Sequence, residues 1–154
     1  MKNDSFILVL DNVRSRFNVG SIFRTADGAG IDKIYLCGIT PAPPHSKIAK
    51  VALGAEKFVP FESVKITWRI LKKLKESGYN IVALEQTKKS INYFEYKPKF
   101  PVALVLGNEV TGLSKDILKY CDEFIEIPMK GKKESLNVSV ACGIVAYEIS
   151  MNRS

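Results

Sequence analysis

The sequence predicts an α/β fold built on a mostly parallel sheet with helices on both faces. Three observations carry that expectation. Short β-branched apolar runs alternate with segments of helical period; several runs are apolar at every position, as strands covered on both faces require; and no segment repeats. At 154 residues the chain has the length of one domain, enough to bury a core without disulfides or metal.

The elements follow in order. "FILVL" (6–10) reads as the first strand. Val19 to Ala29 reads as a helix that stops at Gly30. Strands follow at "KIYLC" (33–37) and "KFVPF" (57–61). Val64, Trp68, Leu71 and Leu74 fall at helical spacing, with Lys72, Lys73 and Lys75 off that stripe, until Gly78 ends the helix. Further strands are expected at "NIVAL" (80–84), "VALVL" (102–106) and "FIEIP" (124–128). Val138 to Met151 is helical with apolar residues nearly all round, so it is either deeply buried or half of a subunit interface.

Composition narrows the partners. Lys and Arg exceed Asp and Glu by 23 − 16 = +7, which favours a polyanion, nucleic acid above all. Cys37, Cys121 and Cys142 form no C-x-x-C pair and have only His45 for company, so no metal site is expected. They read as reduced, buried thiols of a cytoplasmic protein. The amino-terminal apolar run of five residues is too short for a signal peptide or a membrane span.

In parallel sheets ligands bind at the carboxyl ends of the strands. Gly107 and Gly112 have the spacing of a P-loop's glycines, but Leu113 stands where the lysine should, and Glu109 would repel phosphate. Gly28-x-Gly30 closes a helix rather than opening one and is followed by Lys33, which disfavours a dinucleotide fingerprint. Three polar clusters remain. In "NVGSIFRTADGAG", Asn18 suits an N-cap, Gly20 suggests the close approach of another backbone or a ligand, and Arg24 either snorkels or meets an anion. In "LGNEVTGLS", Gly107 ends a buried strand, and Glu109 caps a helix, pairs with a lysine or faces a site. In "IPMKGKKESLNVSVA", Ser135 and Asn137 stand at the mouth of the last helix, as caps or as site residues.

Together and in this order, N-x-G-x-x-x-R-T-A (18–26), "LVLGNEVTGLS" (104–114) and "IPMKGKKESLNVSVA" (127–141) resemble the SpoU-type (TrmH-like) RNA ribose 2′-O-methyltransferases of the SPOUT class. The resemblance covers nearly the whole chain. It implies a sheet whose carboxyl-terminal part is tied in a deep trefoil knot, and loops there that bind S-adenosylmethionine. Leu84, Gly107, Ile127, Met129 and Leu136 would line the adenosine pocket, with Gly107 small because the cofactor lies against its backbone. Arg24, Asn18, Glu109, Ser135 and Asn137 fall on the family's catalytic positions. Arg24 would act as a base or as an electrostatic clamp on phosphate and developing alkoxide. The resemblance further implies a homodimer with its active site near the interface. The RNA would be tRNA or rRNA, touched by loop cations such as Arg14, Arg16, Lys47, Lys50, Lys130, Lys132 and Lys133. The chain is expected to be a single catalytic domain, residues 1–154, without an appended RNA-binding domain. It would then read its substrate with the dimer surface or borrow an accessory protein. A knotted RNA-binding protein without catalysis is the alternative.

Overall fold

The structure, a computed structural model, describes residues 4–153. Seven strands form one sheet: β1 (Phe6–Asp11), β2 (Lys33–Cys37), β3 (Phe61–Val64), β4 (Asn80–Leu84), β5 (Ile91–Asn92), β6 (Val102–Leu106) and β7 (Glu123–Glu126). Their order is β3-β2-β1-β6-β4-β7-β5, and all six pairings are parallel. The helices are α1 (Arg16–Ala29), α2 (Ser46–Ala52), α3 (Thr67–Glu76), α4 (Lys115–Leu118) and α5 (Val138–Ser150).

The continuous apolar runs have the expected cause. Successive side chains of a strand point to opposite faces, and both faces are covered. Phe6, Leu8 and Leu10 of β1 pack with Ile22, Phe23 and Ala26 of α1 and Val145 and Ile149 of α5. Ile7 and Val9 pack on the other side with Ile70, Leu71 and Leu74 of α3 and Ile117 of α4.

Several boundaries differ from the sequence reading. No strand forms over 57–60: a 3-10 turn takes Ala55–Lys57, Phe58 is exposed, and pairing with β2 begins at Phe61 opposite Ile34. The last strand stops at Glu126, short of the expected Pro128. Val64 belongs to β3 and Trp68 is 40% exposed, so the buried face of α3 is Thr67, Ile70, Leu71 and Leu74. The short elements α2, α4 and β5 carry too few turns or residues for a period to show. Gly20 fulfils its expectation: a Cβ there would lie 2.7 Å from the Ile48 carbonyl oxygen, so α2 crosses α1 backbone to backbone.

Candidate active site

The carboxyl ends of β4, β6 and β7 lie side by side, in the registers Ala83↔Val105 and Leu84↔Ile125. Above them opens a cleft of about 500 Å³. Leu84, Gly107, Ile127, Met129 and Leu136 all line it, and so do Asn18, Glu109, Ser135 and Asn137. Four segments distant in sequence thus converge on one recess.

A chain of hydrogen bonds joins them. Glu109 accepts from the Arg14 N–H at 2.9 Å and the Ser15 N–H at 2.8 Å, and from Asn18 Nδ2 at 3.0 Å. Asn137 Nδ2 donates to Asn18 Oδ1 at 3.2 Å. Asn137 Oδ1 accepts from the Ser139 and Val140 N–H groups, so it caps α5 as its sequence position suggested. Burial pushes the Glu109 carboxyl up, but the donors Arg14, Asn18 and Ser15 outweigh it and hold the group below the usual carboxylate range.

Asn18 is not the N-cap of α1. The helix begins two residues earlier, and Ser15 caps it by accepting from the Asn18 N–H. That frees the Asn18 side chain for Glu109 and Asn137. Glu109 in turn neither caps a helix through its own backbone nor pairs with a lysine; it grips the turn leading into α1. Gly107, which lines the cleft, also has a reason within the chain to be a glycine. A Cβ there would lie 2.7–2.9 Å from backbone atoms of Gly112 and Leu113, so the returning loop of the same chain demands the glycine. Glu85, overlooked in the sequence, holds that loop: its Oε2 accepts from the Leu113 N–H at 2.6 Å. Next to it, Gln86 Nε2 donates to the Glu134 carbonyl at 2.6 Å and ties the β4 end to the 127–137 segment. The signal for Glu85 was its place directly after a strand, the same place that drew attention to Gly107-Asn108-Glu109.

Arg24 stands apart. It is exposed on α1, lines neither this cleft nor its neighbour, and makes no hydrogen bond or ion pair among the described residues. Six residues separate it from Asn18, roughly 9 Å along the helix axis. Ser135 lines the cleft, and its hydroxyl makes no hydrogen bond among the described residues.

The linings differ in charge. Glu85, Glu109, Glu126 and Glu134 border the cleft, and among the described residues no lysine or arginine does. Beside it runs a shallower groove of about 810 Å³ bordered by Arg14, Arg16, Phe17 and Lys47. The two recesses share a wall formed by Asn18 and the 108–111 segment, Glu109 included. Lys50, Lys130, Lys132 and Lys133 border neither.

The face that α5 leaves outward carries Val140, Ile144 and Tyr147, and Met151 follows, with 50%, 37%, 47% and 80% of their surface exposed. The three cysteines are buried, and burial pushes each thiol up to about 12. Among the described residues no helix is long and apolar enough to cross a membrane, and no cluster of metal-ligating side chains occurs.

Known proteins share this architecture. The model of the SpoU rRNA Methylase family matches residues 5–147. The tRNA (guanosine(18)-2′-O)-methyltransferase of Aquifex aeolicus is 37% identical over 153 residues, covering 99% of this chain and 72% of that protein. The 23S rRNA (guanosine-2′-O-)-methyltransferase RlmB of Pectobacterium atrosepticum is 37% identical over 150 residues, covering 96% of this chain and 60% of that protein. An AdoMet-bound rRNA methyltransferase from Sinorhizobium meliloti superposes with a TM-score of 0.90 at 30% identity, covering 97% of this chain and 57% of that one. The chain spans about 60% of the length of most of the curated relatives it matches. The motifs, the parallel sheet and these matches agree: the chain belongs to the SpoU methylase family.

Proposed function

We propose that the protein is an S-adenosylmethionine-dependent RNA ribose 2′-O-methyltransferase, acting on tRNA or rRNA as a cytoplasmic homodimer. The observation that carries this reading is the pairing of an acidic cleft with a basic groove across the Asn18–Glu109 wall. A sulfonium cation and a polyanion each find a lining of opposite charge, and they meet at one place. The names of the relatives support it, since they modify ribose of tRNA or rRNA, and a neighbour of known structure holds the cofactor.

The cleft suits the cofactor. Its volume lies in the range of small-molecule sites, and it combines aliphatic walls at Leu84, Ile127, Met129 and Leu136 with four carboxylates. Bound there, S-adenosylmethionine supplies an electrophilic methyl group. The protein's own part is positioning and proton management. Asn18, Glu109 and Asn137 spend their polar atoms on one another and on backbone, so they serve as a clamp that fixes the turn before α1 against the mouth of α5. Ser135, whose hydroxyl is free at the cleft, orients the ribose. Arg24 polarises the 2′-hydroxyl or clamps an adjacent phosphate. A guanidinium keeps its proton to about pH 12 and beyond, which favours the clamp unless a phosphate assists.

Arg24 is exposed on α1, whose next residue Thr25 lies near Gly143 of α5, and a second copy seated on the exposed apolar side of α5 would bring Arg24 to an active site at the subunit interface. The carboxyl-terminal trefoil knot belongs to the same proposal. Its support is β7 lying between β4 and β5, with the 107–113 and 127–137 segments bound to the residues that follow β4.

The test is transfer of labelled methyl from S-adenosylmethionine to total RNA from cells lacking the gene, followed by nucleoside digestion. Wild type is expected to label 2′-O-methyl ribose, and the size of the labelled RNA separates tRNA from rRNA. Arg24→Ala is expected to lose transfer by at least about a hundredfold, the scale of a lost acid–base or electrostatic group, while cofactor binding survives. Cofactor binding without any RNA label would instead favour a non-catalytic RNA-binding protein or the need for an accessory protein.

A further inference from the structure

The groove beside the cleft carries more than cations. Phe17, 49% exposed, and Val110, 91% exposed, border it together with Arg14, Arg16 and Lys47. Single exposed apolar residues are ordinary on a protein surface. What distinguishes Phe17 is its company and its mounting. It sits in the first turn of α1, next to Asn18, whose side chain is bonded to Glu109 and Asn137. Among the described residues no other aromatic ring pairs with it. Three cations, Arg14, Arg16 and Lys47, border the groove against the single carboxylate Glu109, which is held at the wall by Arg14, Ser15 and Asn18, so the groove's net charge is positive. Sites for single-stranded RNA combine these two features: cations that track the phosphates and an aromatic face on which a base stacks.

Building on the RNA-methylation reading, we infer that Phe17 is the stacking platform for the base of a nucleotide next to the methylated ribose. Val110 forms the opposite lip, and Arg14, Arg16 and Lys47 hold the flanking phosphates. Because the groove and the cleft share Asn18 and Glu109, a strand anchored on Phe17 has its neighbouring ribose carried to the wall of the cofactor cleft. Stacking accepts any base, so Phe17 gives affinity and register rather than sequence choice.

The experiment compares two labelled oligomers about ten nucleotides long, within the span such sites cover: oligoadenylate and an abasic ribose-phosphate chain. Wild type is expected to bind the oligoadenylate roughly tenfold or more tightly than the abasic chain, the size of one stacked base. Phe17→Ala should remove that preference without changing affinity for the abasic chain, and Phe17→Trp should keep it. In methyl transfer the alanine variant should raise KM for RNA and leave kcat near wild type. Equal affinity of wild type for the two oligomers, or an equal loss on both in Phe17→Ala, would overturn the inference. So would a change of molar mass by light scattering in Phe17→Ala, which would place the ring in a subunit interface. The reading beneath it stands or falls separately: a base preference lost in Phe17→Ala, with no methyl reaching RNA, would sink methylation and support the platform.

Discussion

Glu109→Gln tests whether the carboxylate works by holding the backbone rather than by taking part in chemistry. In the wild type three donors point at two anionic oxygens, at 2.9, 2.8 and 3.0 Å. Hydrogen bonds to a charged acceptor contribute about 1.5–3 kcal/mol each, against about 1 kcal/mol for neutral pairs. Glutamine keeps one acceptor and turns an NH₂ group toward donors. One N–H of the Arg14–Ser15 turn or the Asn18 amide then lacks a partner, and the other bonds lose their charge. Glu109 is only partly buried, so water recovers some of that loss, and we expect a net cost of about 2–3 kcal/mol. For a chain of this length that lowers Tm by roughly 4–12 °C.

The pH dependence supplies a second check. The folded carboxyl titrates below its ordinary value of 4.5, despite burial, because of the donors from Arg14, Asn18 and Ser15. A depressed folded pKa contributes stability that is complete above the unfolded value and is lost as pH falls through the folded one. The gap in Tm between wild type and Glu109→Gln is therefore full at neutral pH and closes below about pH 4.5. Melting curves followed by circular dichroism from pH 7 to pH 3 measure it. A glutamine variant that melts with wild type at pH 7 yet transfers no methyl would refute the reasoning, since the carboxylate would then act in the chemistry itself.

Other outcomes follow from the same geometry. Gly107→Ala puts a methyl group within 2.9 Å of the Gly112 and Leu113 backbone; calorimetric titration should show S-adenosylmethionine affinity falling at least about tenfold as the loop is displaced, with stability reduced by about 1–3 kcal/mol. Cys37, Cys121 and Cys142, with thiols near 12, should resist a thiol-reactive disulfide reagent at pH 8 in the native state and all react after denaturation. Ile144→Asp, on the exposed face of α5, should convert the proposed dimer to a folded monomer that binds cofactor and has lost transfer; a monomer with full transfer would remove the need for a second copy at the site.

Much of this arrangement was legible in the sequence, for identifiable reasons. The central strands β1 and β6 are buried on both faces and therefore apolar at every position, a signal that needs no partner to be read. The last helix announced its two apolar faces in the same way, one buried through Cys142, Val145, Ala146 and Ile149 and one left exposed. What stayed hidden depends on contacts across long separations. Asn18 looks like a cap because caps are a local property, whereas its partners Glu109 and Asn137 lie 91 and 119 residues away. Gly107 does line the cleft, but that residues 112–113 fold back over it and also require a glycine is a matter of loop shape that composition does not show. Phe58 and Val59 resembled a strand by composition, but Pro60 has no N–H for a ladder, and pairing starts only after it.

The charge division explains why the clamp sits where it does. A unit-charge pair 6 Å apart interacts by roughly 0.7 kcal/mol in water and about 2.8 kcal/mol at an effective dielectric of 20. Four carboxylates around one cleft therefore attract a cation and repel a phosphate strand by amounts that alter occupancy tenfold or more. Arg14, Arg16 and Lys47 do the reverse in the neighbouring groove. In the proposed reaction neither ligand would gain by entering the other's recess, so the two would come together at the shared wall. A wall between opposite fields has to be rigid, because an ionised side chain free to swing would be drawn across it. Glu109 is the acidic group in that position, and its bonds to the Arg14–Ser15 turn and to Asn18 hold its charge on the boundary. Asn18 continues the wall with a neutral amide that neither field displaces, and Asn137 braces it from the cleft side.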